Sequence, residues 1–179
     1  YTVLPILGNC SGDPIDFIIT VNPSPFISTQ PTSSEICLNG NATPLEVTYT
    51  NGNGIPEYQW FENSVNSNIG GDSIPNATNA SYNPPTNIVG EIFYYVEISF
   101  PSEVCDTIVS EVASIDVVNQ IILASEAEPQ TLCVGGFANE LEVTFTGGAG
   151  APSYQWFKNT VNSNTGGTEL ANTSSNAYT

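Results

Sequence analysis

The sequence predicts an all-β protein made of tandem β-sandwich repeats, and three observations support this prediction. The chain matches itself at a fixed offset, apolar and polar residues alternate, and clusters of Gly, Asn and Pro divide it into short segments. No segment sustains the 3.6-residue period of an amphipathic helix. We therefore expect short strands joined by tight turns throughout.

The internal repeat is the most specific of these observations. Residues 37–71 and 133–167 lie 96 positions apart and are identical at 22 of 35 positions without a gap. The match includes Tyr58-Gln-Trp-Phe, which aligns with Tyr154-Gln-Trp-Phe. This degree of identity indicates a duplicated domain that buries equivalent side chains in each copy.

The ends of the chain match other parts of the same unit. Tyr1-Thr-Val resembles Tyr94-Tyr-Val. We therefore predict the C-terminal strands of a preceding repeat in 1–22, a complete repeat in 23–119 and the N-terminal part of a following repeat in 120–179. The gene is expected to continue in both directions.

Strands within the repeat are predicted from period-two alternation, which is typical of half-buried strands. The apolar positions are Leu45, Val47 and Tyr49 in one segment, and Tyr94, Val96 and Ile98 in another. The residues between them, such as Tyr95 and Glu97, are expected to point away from the core. Turns are predicted at Asn-Gly and Gly-Gly clusters.

An immunoglobulin-like core is predicted from a few aromatic positions. In that fold a Trp on the third strand packs between the sheets, and a Tyr forms a corner two residues before the second cysteine. Here Trp60, flanked by Tyr58, and Tyr94 take these places, and Val96 stands where the cysteine would be. Trp156 is the equivalent of Trp60. A structural role for both tryptophans is favoured over sugar stacking, and apolar packing is expected to close the core.

The charge excludes several classes of function. Eighteen acidic residues face one basic residue, Lys158, for a net charge of −17, and the chain has no His. Binding to nucleic acid or an anionic membrane needs clustered cations. Without His there is no Ser-His-Asp triad, so we expect no enzyme and no cofactor. Acidic loops could bind calcium, but no D-x-D-x-D-G motif supports this, and a solvated acidic surface is preferred.

The four cysteines have no C-x-x-C spacing, which favours disulfides in an oxidising, extracytoplasmic compartment. Our preferred pair is Cys37 with Cys105, because a solitary repeat can then close its own bond. Cys10 and Cys133 would then have partners outside residues 1–179. The alternative pairs Cys10 with Cys37 and Cys105 with Cys133 across the junctions. The 179 residues contain no run of about 18 apolar residues, so no membrane span is predicted within them.

Taken together, these motifs resemble a known family. The pattern is a Cys-x-x-Gly before a strand, a Tyr-Gln-Trp-Phe strand, a Gly-rich turn, a Tyr-x-Val strand and a hairpin Cys. It is similar to the Ig-like (PKD-like) tandem repeats of giant Bacteroidota cell-surface adhesins, including those exported by the type IX secretion system for gliding motility. The resemblance implies a long extracellular filament at the cell surface that serves in attachment and gliding.

The same resemblance suggests a modification. Asp72-Ser73-Ile74 and Asp106-Thr107-Ile108 resemble the Asp-Ser/Thr-aliphatic signal for O-glycosylation of exported Bacteroidota proteins. Ser73 and Thr107 would carry the glycans. Ordinary turn chemistry, in which Asp and Ser bind their own backbone, explains these tripeptides equally well.

Two functions follow as hypotheses. In the first, the repeats form a stiff spacer that contacts neighbouring repeats of the same chain, and possible partners are surface polysaccharide and envelope motility proteins. In the second, the repeat is a carbohydrate- or protein-binding module of a secreted multidomain protein. Phe61 and Phe157 are the best exposed aromatic candidates for that binding face, but cover for a neighbouring loop is the preferred role of both.

Overall fold

The computed structural model describes residues 1–52, 54–101 and 107–179, and every regular element in these ranges is a β-strand. This confirms the predicted all-β class. The first segment contains four short strands, which are β1 (Thr2–Val3), β2 (Ile6–Leu7), β3 (Cys10–Ser11) and β4 (Ile15–Asp16). β1 pairs antiparallel with β4, and β2 with β3.

Residues 23–119, the predicted complete repeat, contribute ten strands. They are β5 (Phe26–Thr29), β6 (Ser34–Cys37), β7 (Leu45–Glu46), β8 (Thr48–Thr50), β9 (Glu57–Asn63), β10 (Asp72–Ser73), β11 (Ser81–Tyr82), β12 (Gly90–Ser99), β13 (Ile108–Val109) and β14 (Ala113–Val118). The longest, β12, is the centre of the larger sheet because it pairs with β9 on one side and with β13 and β14 on the other.

These strands form the two layers of a β-sandwich. The larger layer has six strands in the order β10-β9-β12-β14-β6, with β13 also on β12. All of its pairings are antiparallel except that of β14 with β6, which is parallel. The smaller layer consists of the antiparallel pairs β5-β8 and β7-β11. The parallel pair brings the first and last parts of the repeat together.

The core lies between the layers and follows the predicted alternation. On β14, Ala113, Ile115 and Val117 are buried while the residues between them are partly exposed. The smaller layer contributes Leu45 and Val47 to the same cluster. Because successive side chains of a strand point to opposite faces, the period-two pattern of the sequence becomes one apolar interior.

Tyr95 is buried although it lies outside the core cluster. The alternation predicts that it points away from the core, and yet only 2% of its surface is exposed. Its ring stacks on Phe61 with centroids 5.0 Å apart, and its hydroxyl accepts a hydrogen bond from the N–H of Gly71 at 3.1 Å. A Cβ on Gly71 would lie 2.6 Å from the carbonyl oxygen of Glu62. Glycine at position 71 thus lets the loop close over the outer face of the sheet.

The last segment contains β15 (Ile122–Ser125), β16 (Leu141–Glu142), β17 (Thr144–Thr146), β18 (Phe157–Lys158), β19 (Thr168–Glu169) and β20 (Ala177–Tyr178). Its three pairings repeat those of the complete unit with every residue shifted by 96. β15-β17 corresponds to β5-β8, including the register shift within the pair, while β16-β20 corresponds to β7-β11 and β18-β19 to β9-β10. The duplicated sequence therefore makes the same strand pairs twice.

Candidate functional site

Trp60 is the centre of the complete repeat. It is fully buried, and its indole N–H donates to the carbonyl oxygen of Asn79 at 2.9 Å. Its ring lies 6.0 Å from that of Tyr82, measured between centroids, and on the ladder it is opposite Val96. The indole is thus buried with its N–H satisfied, as the packing of a core tryptophan requires.

Trp156 reproduces this environment in the last segment. Its indole N–H donates to the carbonyl oxygen of Ser175 at 2.9 Å, and its ring lies 5.8 Å from that of Tyr178. Both partners are 96 residues beyond those of Trp60. Trp156 itself is only half-buried. The two tryptophans thus share one local geometry at two different degrees of burial.

The tyrosines of the core are held in their neutral form. Tyr94 is 1% exposed, and burial raises the pKa of its phenol, with smaller contributions from Tyr82 and Glu62. Burial also raises the pKa of Tyr82 and of Tyr58. A buried phenolate would lose its hydration, so the folded state resists ionisation of these side chains.

Ser110 is a structural residue that the sequence does not reveal. It is the one buried polar residue among those the structure describes, with no exposed surface. Its hydroxyl accepts from the N–H of Val96 at 3.0 Å and donates to the carbonyl oxygen of Glu111 at 2.8 Å. Its own N–H donates to the carbonyl oxygen of Val96 at 2.9 Å. Ser110 therefore joins β12 to the connection between β13 and β14.

Replacing Ser110 by alanine should lower the free energy of unfolding by about 1–3 kcal/mol, because the N–H of Val96 would remain buried without an acceptor. Urea unfolding followed by circular dichroism measures the loss. Ser81→Ala, at an exposed position of β11, is the matched control and should change stability by less than about 0.5 kcal/mol. A loss no larger than that of the control would contradict the role assigned to the hydroxyl.

The cysteines of the described segments form no disulfide with one another. Cys10 and Cys133 are exposed, and Cys37 is half-buried at the end of β6, opposite Val118. Cys105 lies outside the described residues, so its predicted bond to Cys37 stays a prediction.

The two predicted glycosylation sites are both accessible. Ser73 is exposed on β10, opposite Phe61 in the ladder, and Thr107 is exposed just before β13. Thr107 also lines an open cleft of about 580 Å³ with Glu57 and Glu97. Their modification stays a prediction.

The two aromatic positions predicted for a binding face differ in exposure. Phe61 is half-buried against Tyr95, which occupies one face of its ring, while Phe157 is 60% exposed. The described parts of the chain contain no group of three or more Asp, Glu, Cys or His residues that could hold a metal ion. Nor do they contain a helix with the length and apolar character needed to cross a bilayer.

The joint after the complete repeat is held by polar contacts. The side-chain amide of Gln120 donates to the carbonyl oxygen of Leu38 at 3.2 Å, and the N–H of Gly148 donates to the carbonyl oxygen of Asn119 at 2.8 Å. Gly147 has a positive φ of 73°, and a Cβ there would collide with the carbonyl oxygen of Gln120. The linker residues Asn119 and Gln120 are therefore hydrogen-bonded both to the repeat before them and to the segment after them.

Fold, core and joint together define a protein of tandem β-sandwich repeats with an immunoglobulin-like arrangement. A family model described as "Domain of unknown function (DUF8696)" matches residues 27–119, just over half of the chain. The chain belongs to this family. The match lies within the predicted complete repeat, 23–119. No curated protein matches the chain.

Proposed function

We propose that this chain is a structural and adhesive segment of a long extracellular filament, of the kind found in giant Bacteroidota cell-surface adhesins that serve attachment and gliding motility. The observation that carries the proposal is the repetition of the same strand pairs at an offset of 96 residues. A repeated sandwich with a bound linker adds length in fixed increments. Such a design suits a spacer.

The dimensions of the repeat support this role. β12 has ten residues, which at about 3.3 Å per residue gives a module roughly 30–40 Å long. The contacts of Gln120 and Gly148 limit bending at the following joint. A filament of such modules projects its far end away from the cell in proportion to the number of repeats.

The charge of the chain also supports an extended surface role. A net charge of −17 keeps neighbouring filaments apart in solution through mutual repulsion. The partners that we propose are the adjacent repeats of the same chain, together with surface polysaccharide or envelope proteins of the motility apparatus. Export through the type IX system is part of the proposal and rests on the sequence resemblance.

Small-angle X-ray scattering of the whole chain tests the stiff joint. We expect the wild-type chain to scatter as an elongated particle. Gly147→Ala should change the maximum dimension of that particle, because the added Cβ would collide with the carbonyl oxygen of Gln120. Gly150→Ala is a matched control, since its φ of 77° is also positive and nothing lies within 4 Å of the added atom. A freely jointed wild-type chain, or equal changes in both variants, would contradict the stiff joint.

Cell-surface location is tested separately with antibodies raised against this chain. Intact cells of the organism that encodes it should be labelled, and the label should be lost after brief treatment with an external protease. An antibody against a cytoplasmic protein of the same cells is the control for intactness. Labelling that requires permeabilised cells would overturn the filament proposal, whatever the scattering shows.

A further inference from the structure

The first and last parts of the complete repeat meet in one parallel strand pair. β6 lies beside β14 with Ser34 opposite Ile115 and Cys37 opposite Val118. The contact continues beyond the ladder, because the N–H of Leu38 donates to the carbonyl oxygen of Val118 at 2.8 Å. We call this contact, between residues 30–38 and 111–120, the terminal-strand seam.

Side chains extend the seam at both ends. Near its start, the side-chain oxygen of Gln30 accepts from the N–H of Glu111 at 2.9 Å. The hydroxyl of Ser33 accepts from the N–H of Ser114 at 2.8 Å. At the far end Gln120 donates to the carbonyl oxygen of Leu38. The seam is therefore longer than its four-residue ladder.

The parallel direction determines how the seam carries load. The chain approaches β6 from its N-terminal end and leaves β14 at its C-terminal end, and in a parallel pair these two points are at opposite ends of the seam. Tension along the chain therefore pulls the two strands in opposite directions along their own axes. The hydrogen bonds of a ladder cross between the strands, so sliding must break them together.

The remaining contact on the N-terminal side is weaker. β5 precedes β6 and pairs with β8 through three residue pairs, with a register shift among them. Because β5 has fewer ladder pairs than β6, we expect tension to release β5 from the smaller layer first and the seam then to bear the load. Once the seam parts, β14 loses its neighbour at the edge of the larger layer, and the core residues that it carries lose that cover.

From this geometry we propose that the terminal-strand seam is a force-bearing element that keeps each repeat folded when the chain is pulled from its ends. The resistance is directional. It is high when the strands are sheared and low when they are unzipped from one end. The inference rests on the proposed filament role for its biological meaning only, because the resistance is a property of the isolated chain.

Single-molecule force spectroscopy on the whole 179-residue chain tests the proposal in two pulling directions. All four cysteines are replaced by serine in both samples. In the shearing sample the handles are attached at the chain termini. In the unzipping sample one handle is attached through Asn41→Cys, an exposed position just after β6, and the other at the C-terminus. Both unzipping attachments act on the Cys37 and Val118 end of the seam.

We expect the unzipping sample to unfold at a severalfold lower force than the shearing sample at the same loading rate. In the shearing sample, the opening of residues 30–120 should lengthen the chain by about 30 nm, at about 3.6 Å per residue. Equal forces in the two directions would overturn the proposal. That result would leave the surface-labelling test of the filament role unaffected.

A side-chain comparison tests the same proposal in the shearing direction. The double variant Gln30→Ala with Ser33→Ala removes two bonds of the seam and should lower the unfolding force. Asn63→Ala is the control, because it removes three hydrogen bonds in a loop away from the seam. The side-chain amide nitrogen of Asn63 donates to the carbonyl oxygens of Ser67 and Ile69, and its Oδ1 accepts from the N–H of Val65. Circular dichroism establishes that each variant is folded. An equal loss of force in the control would contradict the assignment of the load to the seam.

Discussion

Replacing Trp60 by alanine should lower the free energy of unfolding of the complete repeat by about 3–5 kcal/mol. The side chain has no exposed surface, and its removal leaves a cavity between the layers beside Tyr82. The carbonyl oxygen of Asn79 also loses its hydrogen bond. Urea unfolding followed by far-ultraviolet circular dichroism measures the change. If Trp60→Ala does not fold, Trp60→Phe provides a milder loss on the same scale.

The chain contains its own matched control for this experiment. Trp156→Ala removes the same side chain, the same type of hydrogen bond and the same neighbouring tyrosine, but from a half-buried position. We expect its cost to be less than half that of Trp60→Ala, because the cost of a large-to-small change depends on the apolar surface removed from water. Equal costs at the two positions would contradict the assignment of the effect to burial.

Much of the fold could be predicted because it depends on local pattern and repetition. Alternating apolar residues give the strands their two faces, which is why Val96 and Trp60 were predicted in the core and are found opposite each other there. The sequence repeat also predicts that strands which pair in one copy will pair in the same register in the other copy. Both the alternation of apolar and polar residues and the duplication at an offset of 96 can be read from a single sequence.

The features that could not be predicted depend on contacts between distant residues. Nothing near Ser110 in the sequence distinguishes it from an exposed turn serine, since its acceptor role requires β12 to pass alongside. Tyr95 was predicted on the outer face, and it is buried because a loop more than twenty residues earlier closes over it. The parallel seam depends on residues 80 or more positions apart, as in the bonds between Leu38 and Val118 and between Gln30 and Glu111.

Raising the pH above 10 should destabilise the complete repeat, and Tyr94 should account for a large part of the loss. Burial raises the pKa of Tyr94 above the ordinary value of 10, and it also raises the pKa of Tyr58 and Tyr82. Below pH 10 the phenol is protonated in both the folded and the unfolded chain, so the full stability is present. Above pH 10 the unfolded chain releases the proton while the folded chain retains it, and the equilibrium shifts toward unfolding.

For Tyr94 alone, the free energy of unfolding should fall by about 1.4 kcal/mol for each pH unit above 10, until the folded-state pKa is reached. Urea unfolding at a series of pH values from 8 to 12 measures this slope. Tyr94→Phe keeps the ring and removes the titrating hydroxyl, so its slope should be shallower by that amount. Tyr1→Phe is the control at a position that is 86% exposed. If Tyr94→Phe and Tyr1→Phe had the same slope, Tyr94 could not be the source of the alkaline loss, because only Tyr94→Phe lacks the buried phenol.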